Sequence, residues 1–402
     1  MKVLQINAVY NLSSTGRTTT ELHKALIANG IDSYVAYADT DKPNDEKLYH
    51  IGSSTDKKIH AFMSRLSGKQ AYFSHNSTKK LLEYIDSVKP DVIHLRNFHG
   101  NYINMPMLLK YIVKNDIATV VTLHDFWFLT GKCVYFTAAN CDKWQTHCEN
   151  CPNLQNGNPT WIFDKTKQMF SDKLNLFSQI NKLAFVGVSQ WAADMAEKSP
   201  MSKNATVKRI YNWIDFEKFY KKDVSTLRKS LLLENKFVVL GVSAVWNERK
   251  GLNSFIELSK RVDKDTKIVL IGLIPNGVSF PDNILCVGTT NSTKELSDYY
   301  NLADVLVTFS LEETFGKVSA EALSCGTPVI CYNSSANPEL VGDGCGYVVQ
   351  KNNLEEVITS IEKAKKNTKE YYSKHCIDYA HENFNKDERI KDYIELYKEL
   401  TK

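Results

Sequence analysis

The stretch that decides the fold runs Ser310-Leu-Glu-Glu-Thr-Phe-Gly-Lys-Val-Ser-Ala-Glu-Ala-Leu-Ser-Cys-Gly-Thr-Pro-Val-Ile330. The apolar run Val305–Phe309 before it predicts a buried strand, and Lys317–Ser324 has the spacing of a helix. Because Thr314-Phe315-Gly316 opens that helix, its free backbone N–H groups and its positive dipole end point at the carboxyl edge of the strand. This arrangement predicts a seat for a diphosphate.

Two carboxylates in the same stretch are candidates for ligand binding. Glu321 lies one to two turns into the predicted helix, where a carboxylate can accept hydrogen bonds from paired ribose hydroxyls. Glu313 precedes the helix and is expected to face a sugar. The alternative interpretation is a solvated helix face, which is the usual place of spaced carboxylates.

The same order of strand, loop and helix recurs along the whole chain. In the first half, strands are predicted at 3–7, 33–38, 91–95, 118–123 and 184–188, with helices at 20–29, 79–88, 106–115 and 190–198. In the second half, strands are predicted at 237–244, 267–271, 285–287, 305–309 and 328–332, with helices at 252–262, 294–303 and 317–324. The alternation predicts an α/β fold with parallel sheets.

The length of 402 residues favours two domains, because single cores stop growing near ~250–300 residues. We predict an N-terminal domain over 1–218 and a C-terminal domain over 219–385. The last helical pattern, 386–402, is a candidate to pack back on the first domain.

Composition and charge limit the classes of protein. The apolar share of 43% and the charged share of 24% are typical of a globular protein. A net charge of +4 does not call for a nucleic-acid partner. We find no run near the ~18 apolar residues of a spanning helix, and Val3–Ile6 is too short for the apolar core of a signal peptide. We therefore expect a cytoplasmic protein.

The 310–330 stretch resembles the family-4 retaining glycosyltransferases of the GT-B fold, in which two Rossmann-like domains face a central cleft. The family pattern is a Glu, seven residues and a second Glu, then a small residue, Gly and Pro-Val-Ile. The matching residues here are Glu313, Glu321, Gly326 and Pro328-Val329-Ile330. Three further segments resemble the family: Gly288–Thr290, Asn337–Val341 and Asn212–Asp215.

The resemblance implies roles for residues in both domains. The catalytic residues would be His124, Lys250 and Glu313. The donor-binding residues would be Gly16, Arg249, Thr289, Phe315, Gly316, Lys317, Val318 and Glu321. The family usually carries an Arg six residues before the lysine, where this chain has Ala244, and Arg249 is a candidate to replace it. A satisfied core histidine and a surface lysine are the alternatives for His124 and Lys250.

The resemblance also implies the reaction. A UDP-sugar or GDP-sugar would donate to a glycan or lipid-diphosphate-linked glycan, with retained configuration and without a metal, in synthesis of capsule, O-antigen or exopolysaccharide. We find no Asp or Glu marked as a separate nucleophile, so a front-face displacement is favoured over a double displacement. A nucleotide-sugar epimerase or a phosphorylase on the same fold is the rival enzyme. A zinc-bearing nucleic-acid or scaffold protein is the rival of another class, which the slight charge disfavours.

Four cysteines, Cys133, Cys141, Cys148 and Cys151, fall within nineteen residues of a polar segment. Four thiolates can bind Zn²⁺ tetrahedrally, and the last two have chelating spacing. We predict a structural zinc in the 133–151 loop, with His147 as an alternate ligand, and no cofactor for catalysis. Such a zinc would add folding energy rather than catalysis.

Basic and apolar residues are interleaved in the stretch 56–80. The basic residues are Lys57, Lys58, Arg65, Lys69, Lys79 and Lys80, and the apolar ones are Ile59, Phe62, Met63, Leu66, Tyr72 and Phe73. This pattern is compatible with peripheral contact at the cytoplasmic face of an anionic membrane or with a lipid-diphosphate acceptor. It is equally compatible with a solvated face over an ordinary core stripe.

Overall fold

A computed structural model describes residues 1–40 and 45–402, without the side chain of Ala138. The chain divides into two compact units. Unit 1 comprises Met1–Ile210 and Ile390–Lys402, and unit 2 comprises Tyr211–Arg389. The predicted domain boundary after residue 218 lies eight residues beyond Ile210, and most of the final helix belongs to unit 1.

Unit 1 is a seven-stranded parallel sheet with helices between the strands. Its strands are β1 (Lys2–Tyr10), β2 (Asp32–Thr40), β3 (Leu48–His50), β4 (Val92–Leu95), β5 (Ala118–Leu123), β6 (Leu183–Gly187) and β7 (Thr206–Arg209). Its helices are α1 (Ser13–Ala28), α2 (Ser54–Ser67), α3 (His75–Val88), α4 (Met105–Lys114), α5 (Thr166–Phe177) and α6 (Gln190–Lys198). The strand order is β3-β2-β1-β4-β5-β6-β7. The inner strands β4, β5 and β6 are buried along their whole length, as expected where helices cover both faces.

Unit 2 is a six-stranded parallel sheet of the same design. Its strands are β8 (Phe237–Val245), β9 (Thr266–Leu273), β10 (Ile284–Gly288), β11 (Val305–Thr308), β12 (Val329–Tyr332) and β13 (Gly346–Val349), in the order β10-β9-β8-β11-β12-β13. Its helices are α7 (Ser225–Ser230), α8 (Leu252–Ser259), α9 (Thr293–Leu302), α10 (Lys317–Ser324) and α11 (Leu354–Phe384), which breaks at Thr368. The last helix, α12 (Lys386–Leu400), begins in unit 2 and continues into unit 1.

Both sheets reverse their strand order once, between β1 and β4 in unit 1 and between β8 and β11 in unit 2. This is the strand order of the doubly wound Rossmann fold, and it confirms the predicted α/β fold with two Rossmann-like halves. Crossover helices leave the two neighbouring strands in opposite directions at such a point. The crevice at the carboxyl ends of those strands is where open α/β sheets bind ligands.

The start of α1 corrects the prediction for the segment after β1. The residues from Asn11 to Thr19 were expected to form a loop that contains Gly16, but the helix begins at Ser13. The hydroxyls of Thr19 and Thr20 donate to carbonyl oxygens four residues back, at 2.8 and 3.0 Å. Threonine commonly caps or breaks helices, but here the threonine hydroxyls find hydrogen-bond acceptors within the helix itself.

Several elements escape prediction because their patterns are short or broken: β3, α2, α5, β7, α7 and β13. The basic and apolar stretch from 56 onward folds as α2, whose start is fixed by a capping box between Ser53 and Asp56. Among the residues that the structure describes, every helix is too short or too polar to cross a membrane.

Candidate active site

Lys250 and Glu313 form an ion pair at the carboxyl edge of the unit 2 sheet. Strand β8 leads into a single turn, in which the Asn247 side chain accepts from the Lys250 amide at 3.1 Å. Strand β11 leads into the loop that carries Glu313. Because β8 and β11 are neighbours where the strand order reverses, the two loops meet, and Nζ of Lys250 donates to Oε1 of Glu313.

The electrostatics of the site keep the Glu313 carboxylate charged. Burial by itself raises the pKa of this group, but the charge and hydrogen bond of Lys250, with help from Ser310 and Arg249, bring the pKa below its ordinary value. The Glu313 amide also donates to Oγ of Ser335 at 2.8 Å, which fixes the backbone. The site therefore holds a matched positive and negative charge at neutral pH.

Arg249 braces the loop that carries Glu313. Its Nη1 donates to the carbonyl oxygen of Glu312 at 2.8 Å, and the amide of Leu311 donates to the Arg249 carbonyl at 3.0 Å. Gly251 makes this close approach possible, because a Cβ there would lie 2.2 Å from Cβ of Phe309. The position of the usual family arginine, Ala244, is exposed, and its replacement by Arg249 stays a prediction.

Gly316 starts α10 beside this ion pair. Its φ is +94°, and a Cβ would lie 2.8 Å from Cδ1 of Leu340. Both the backbone conformation and the lack of space therefore disfavour a side chain here. A glycine also has no side chain with which to cap the first-turn amides. Lys317 and Val318, which follow it, are half-buried in that first turn. The start of α10 thus has the backbone features that the sequence predicts for a diphosphate seat.

Two further predicted donor-binding residues of unit 2, Phe315 and Thr289, differ in their surroundings. The ring of Phe315 is buried and packs edge-on against Phe384 at 5.4 Å and near Tyr211 at 6.1 Å, so its side chain serves the core. Thr289 is exposed in the loop after β10, the edge strand of the sheet. It shares the carboxyl edge with the ion pair but not the point of strand reversal.

Glu321 lies on α10 with only 5% of its surface exposed. Its Oε2 accepts a hydrogen bond from the hydroxyl of Tyr300 at 2.8 Å. Tyr300 is itself held, because Oγ1 of Thr327 donates to its carbonyl oxygen at 2.6 Å. Helix α9 therefore orients the carboxylate that the sequence predicts to bind ribose. The role of the Tyr300 hydroxyl emerges only from the packing.

In unit 1, His124 follows β5 and is held by Arg96, which follows β4. The guanidinium is buried and reaches Nε2 of His124 at 3.1 and 3.3 Å. It also donates to the side chains of Gln5 at 2.9 Å and Thr18 at 3.2 Å. A guanidinium only donates, so Nε2 of His124 is the acceptor and the neutral ring carries its proton on Nδ1. Arg96 was missed, although it follows the buried strand β4 directly, as His124 follows β5.

A second histidine, His99, pairs with Asp125 beside that site. Its Nε2 lies 2.9 Å from Oδ2 of Asp125, whose Oδ1 accepts from the Trp127 amide at 2.9 Å. Burial lowers the pKa of His99, but the charge and hydrogen bond of Asp125 outweigh it and raise the pKa above its ordinary value. The sequence does not single out His99, because the loop from 96 to 104 has no regular pattern.

Gly16 lies in the first turn of α1, packed against the end of β1. The Asn11 amide donates to its carbonyl oxygen at 3.2 Å. A Cβ at this position would lie 3.2 Å from the Asn11 nitrogen and 3.3 Å from Cγ2 of Val9. The glycine therefore permits close helix packing, while its contact with a donor stays a prediction.

The four cysteines of the 133–151 loop line one cavity of about 20 Å³. The sulfurs of Cys133 and Cys151 lie 3.9 Å apart, and the Gly131 amide donates to Sγ of Cys148 at 3.3 Å. All four thiols are unbridged. Within the described residues, no group of three or more His, Cys, Asp or Glu side chains is already arranged to hold a metal ion. The zinc site stays a prediction.

Comparison with protein families covers most of both units. Residues 15–218 match the model described as Glycosyltransferase Family 4, and residues 223–383 match the model described as Glycosyl transferases group 1. The chain belongs to glycosyltransferase family 4. It is therefore a group 1 glycosyltransferase, and the resemblance drawn from Glu313 and Glu321 is confirmed.

Two bacterial relatives of this family 4 glycosyltransferase have names that refer to colanic acid biosynthesis or to a cps region. WcaC of Escherichia coli (strain K12), named as a glycosyl transferase of colanic acid biosynthesis, is 25% identical over 384 residues, which cover 91% of this chain and 90% of WcaC. An uncharacterized 41.2 kDa protein in the cps region of Klebsiella pneumoniae is 24% identical over 320 residues, covering 77% of this chain and 79% of that protein.

Solved structures show the same GT-B fold as this glycosyltransferase. Sucrose-phosphate synthase from Thermosynechococcus elongatus superposes with a TM-score of 0.70 at 15% identity, covering 100% of this chain and 99% of that one. HepE of Anabaena, solved with UDP, superposes with a TM-score of 0.70 at 14% identity, covering 99% of this chain and 100% of that one. At these identities the similarity shows the fold alone.

Proposed function

We propose that this glycosyltransferase moves a sugar from a UDP-sugar or GDP-sugar to a hydroxyl of a glycan or lipid-diphosphate-linked glycan, with retention of configuration. The observation that carries the proposal is the Lys250–Glu313 ion pair, which lies at the point of strand reversal in unit 2. The solved complexes of HepE hold UDP and UDP-glucose, which favours UDP as the nucleotide. The names of WcaC and of the cps-region protein support a role in bacterial surface polysaccharide synthesis.

The donor would occupy the carboxyl edge of the unit 2 sheet. Its diphosphate would accept hydrogen bonds from the first-turn amides after Gly316 and from Nζ of Lys250. These positive groups would stabilise the negative charge that develops on the leaving group. The ribose hydroxyls would donate to Glu321, which Tyr300 already orients. Lys250 and the helix end thereby supply the charge neutralisation in a reaction that we propose to be independent of metal.

The transfer step follows a front-face displacement. The bond from the anomeric carbon to the diphosphate oxygen breaks, the acceptor oxygen bonds to the same face of that carbon, and the acceptor proton passes to the departing phosphate. His124 would donate from Nδ1 to a sugar hydroxyl, because Arg96 occupies its Nε2. We place the reaction at the cytoplasmic face of a membrane, where a lipid-linked acceptor is reached.

A thermal-shift screen against UDP, GDP and their common sugars tests the donor site, because a ligand that binds only the native state raises its stability. We expect one nucleotide to raise the melting temperature and Glu321→Ala to abolish that shift. Acceptor-dependent release of the diphosphate would then establish transfer. Free epimer without an acceptor, or phosphorolysis of a glycan, would instead support the epimerase or phosphorylase. No shift with any nucleotide would contradict the proposal.

A further inference from the structure

Five large apolar side chains form one exposed surface on unit 1, here called the apolar surface. They are Ile59, Phe62, Trp161, Ile162 and Phe163, and each is between 50% and 59% exposed. Two lie on the outward face of α2, and three lie in the segment before α5. Single exposed apolar residues are ordinary, but a contiguous group of this size marks an interaction site.

The apolar surface is held in place by backbone contacts. The amide of Trp161 donates to the carbonyl oxygen of Arg65 at 2.7 Å, near the end of α2. The rings of Phe62 and Trp161 meet edge-on, with centroids 5.8 Å apart. Gly68 ends α2 with φ +75°, and a Cβ there would lie 2.1 Å from the carbonyl oxygen of Phe163. The 161–163 segment is therefore fixed against α2, and its apolar side chains remain outside.

Cationic side chains surround the apolar surface. The guanidinium of Arg65 lies 5.9 Å from the centre of the Trp161 ring, and Nζ of Lys165 lies 5.7 Å from the centre of the Phe163 ring. Lys58 is exposed one turn before Phe62 on α2. Such side chains lay their aliphatic stems along apolar groups and extend their charges outward. An apolar centre with cations around it matches the interface of an anionic bilayer.

The neighbouring carboxylate, Asp164, is charged, and backbone amides engage both of its oxygens. Oδ2 of Asp164 accepts from the Cys151 amide at 2.8 Å, and Oδ1 accepts from the Thr166 amide at 2.8 Å. Burial raises the pKa of Asp164, but these hydrogen bonds outweigh it and lower the pKa below its ordinary value. The carboxylate thus acts as an internal brace of the segment.

A cavity of about 60 Å³ with a mixed polar and apolar lining lies beside the apolar surface. Its lining includes the side chains of Arg65, Gln70 and Lys132. The buried hydroxyls of Ser64 and Thr160 also line it, and across the part of the chain that the structure describes neither has a hydrogen-bond partner. The guanidinium of Arg65 and these two hydroxyls suit the phosphate of a lipid headgroup, which a purely apolar protein partner would not supply, whereas Nζ of Lys132 already donates to the Leu154 carbonyl oxygen at 2.7 Å.

We propose that the apolar surface docks on an anionic membrane, with its rings entering the interface and Lys58, Arg65 and Lys165 meeting the headgroup phosphates. This inference rests on the proposed function and deepens it, because a lipid-linked acceptor is presented at a membrane. The docking itself needs neither donor nor acceptor.

Flotation of the full-length protein with vesicles tests the proposal. We expect binding to vesicles of phosphatidylcholine with 30% phosphatidylglycerol, on the order of tenfold weaker binding to phosphatidylcholine alone, and loss of binding as salt rises. The double variant Phe62→Ser/Trp161→Ser should weaken the affinity for anionic vesicles by about tenfold or more. Tyr371→Ser, an exposed aromatic of unit 2, is the matched control and should bind as the parent does.

The outcomes separate docking from catalysis and from folding. Circular dichroism confirms that each variant is folded, and nucleotide-induced thermal shift confirms that unit 2 is unaffected. A dimer that both serine substitutions dissociate, without vesicle binding, would overturn the proposal in favour of a second copy of the chain. Equal binding to neutral and anionic vesicles, or binding unchanged in the double variant, would also overturn it. Loss of glycosyl transfer alone would leave the docking result standing.

Discussion

At the scale of single residues, the ion pair between Lys250 and Glu313 defines the resting state of the proposed donor site. Each group compensates the other where both are largely removed from water. In the proposed function, a bound diphosphate would bring negative charge that competes with Glu313 for Nζ of Lys250. The lysine would then follow the charge that develops on the leaving group, while the carboxylate would turn to the sugar. This exchange makes both residues sensitive to substitution for different reasons.

Substitution of the lysine tests charge stabilisation directly. We expect Lys250→Ala to lower kcat by about 10²–10³-fold, the range for removal of one group that stabilises developing charge. Diphosphate release under saturating donor measures the effect. Lys260→Ala removes an exposed lysine of the same unit that pairs with Glu257, and it should leave kcat unchanged. A Lys250→Ala enzyme with parental kcat would remove the lysine from the mechanism.

Substitution of Tyr300 tests the orientation of Glu321. Tyr300→Phe deletes one donor to a buried carboxylate, and a hydrogen bond to a charged group contributes about 1.5–3 kcal/mol. We expect a loss of nucleotide affinity together with a loss of stability of this size, measured by calorimetric titration and denaturant unfolding. Tyr299→Phe alters the adjacent buried tyrosine of α9 and serves as control. Unchanged nucleotide affinity in Tyr300→Phe would show that Glu321 needs no such support.

At the scale of elements, short turns decide how closely the strands and helices approach. Gly251 and Gly316 both have positive φ and no space for a Cβ, so the loops after β8 and β11 close only with glycine. The sequence analysis placed Gly316 at the start of a helix. The physical reason for a glycine at each position, the close approach of Phe309 to Gly251 and of Leu340 to Gly316, follows from the packing.

The cysteine loop is the element with the most direct test. Sulfurs around a tetrahedral zinc with Zn–S of ~2.3 Å lie ~3.8 Å apart, close to the 3.9 Å between Cys133 and Cys151. We expect the purified protein to contain one zinc per chain by mass spectrometry, with the other two sulfurs moving inward on binding. Cys133→Ser should remove the metal and lower the melting temperature.

Cys286→Ser, at an exposed thiol of unit 2, is the control for that measurement and should keep the zinc. Removal of the metal with a chelator should reproduce the loss of stability in the parent protein. A metal-free protein with four freely titrating thiols in this loop and parental stability would refute the site.

At the scale of the whole molecule, α12 closes the chain onto the sheet of unit 1. The Tyr397 hydroxyl lies 2.7 Å from Nδ1 of His94, whose Nε2 lies 2.8 Å from Oγ1 of Thr122. Tyr393 reaches the same threonine at 2.9 Å. These four side chains form a buried polar network, in which each hydrogen bond depends on the others. The last helix is therefore part of the unit 1 fold.

This network predicts a dependence of stability on pH. Burial, followed by the charge of Arg96, lowers the pKa of His94 well below 6.5, and burial lowers those of His23 and His60 to about 4. The folded protein keeps these rings neutral, whereas the unfolded chain binds protons below about 6.5. Their stabilising contribution is therefore complete above pH 6.5 and declines as pH falls, by up to about 1.4 kcal/mol per ring and pH unit.

Denaturant unfolding at pH 7.5 and 5.5 measures this dependence. We expect the parent to lose stability at pH 5.5 and His94→Asn to lose less between the two values, while the exposed control His50→Asn follows the parent. His99 acts in the opposite direction, since its raised pKa makes its contribution complete below about 6.5 and lost as pH rises through the folded value. An identical pH difference in His94→Asn and the parent would contradict the assignment.

The sequence by itself determined the class of fold, the family and the chemistry of the candidate residues. Apolar runs alternate with helical patterns because parallel strands are buried on both faces, and this signal is local. It predicted strand β5 and helix α6 at their observed bounds. It misplaced the start of α1, where threonine hydroxyls donate to carbonyl oxygens of the same helix. Irregular segments such as the one that contains His99 have no periodic pattern, so their contacts could not be predicted from the sequence.

Only the tertiary structure decided which residues meet. Lys250 and Glu313 are 63 positions apart, and His94 and Tyr397 are 303 apart. The order of strands brings such positions together, and that order arises from packing of the complete sheet rather than from any local preference. The spacing of apolar residues is a local property that can be read directly from the sequence. The neighbours of a charged side chain depend on where distant strands lie, which only the folded sheet fixes.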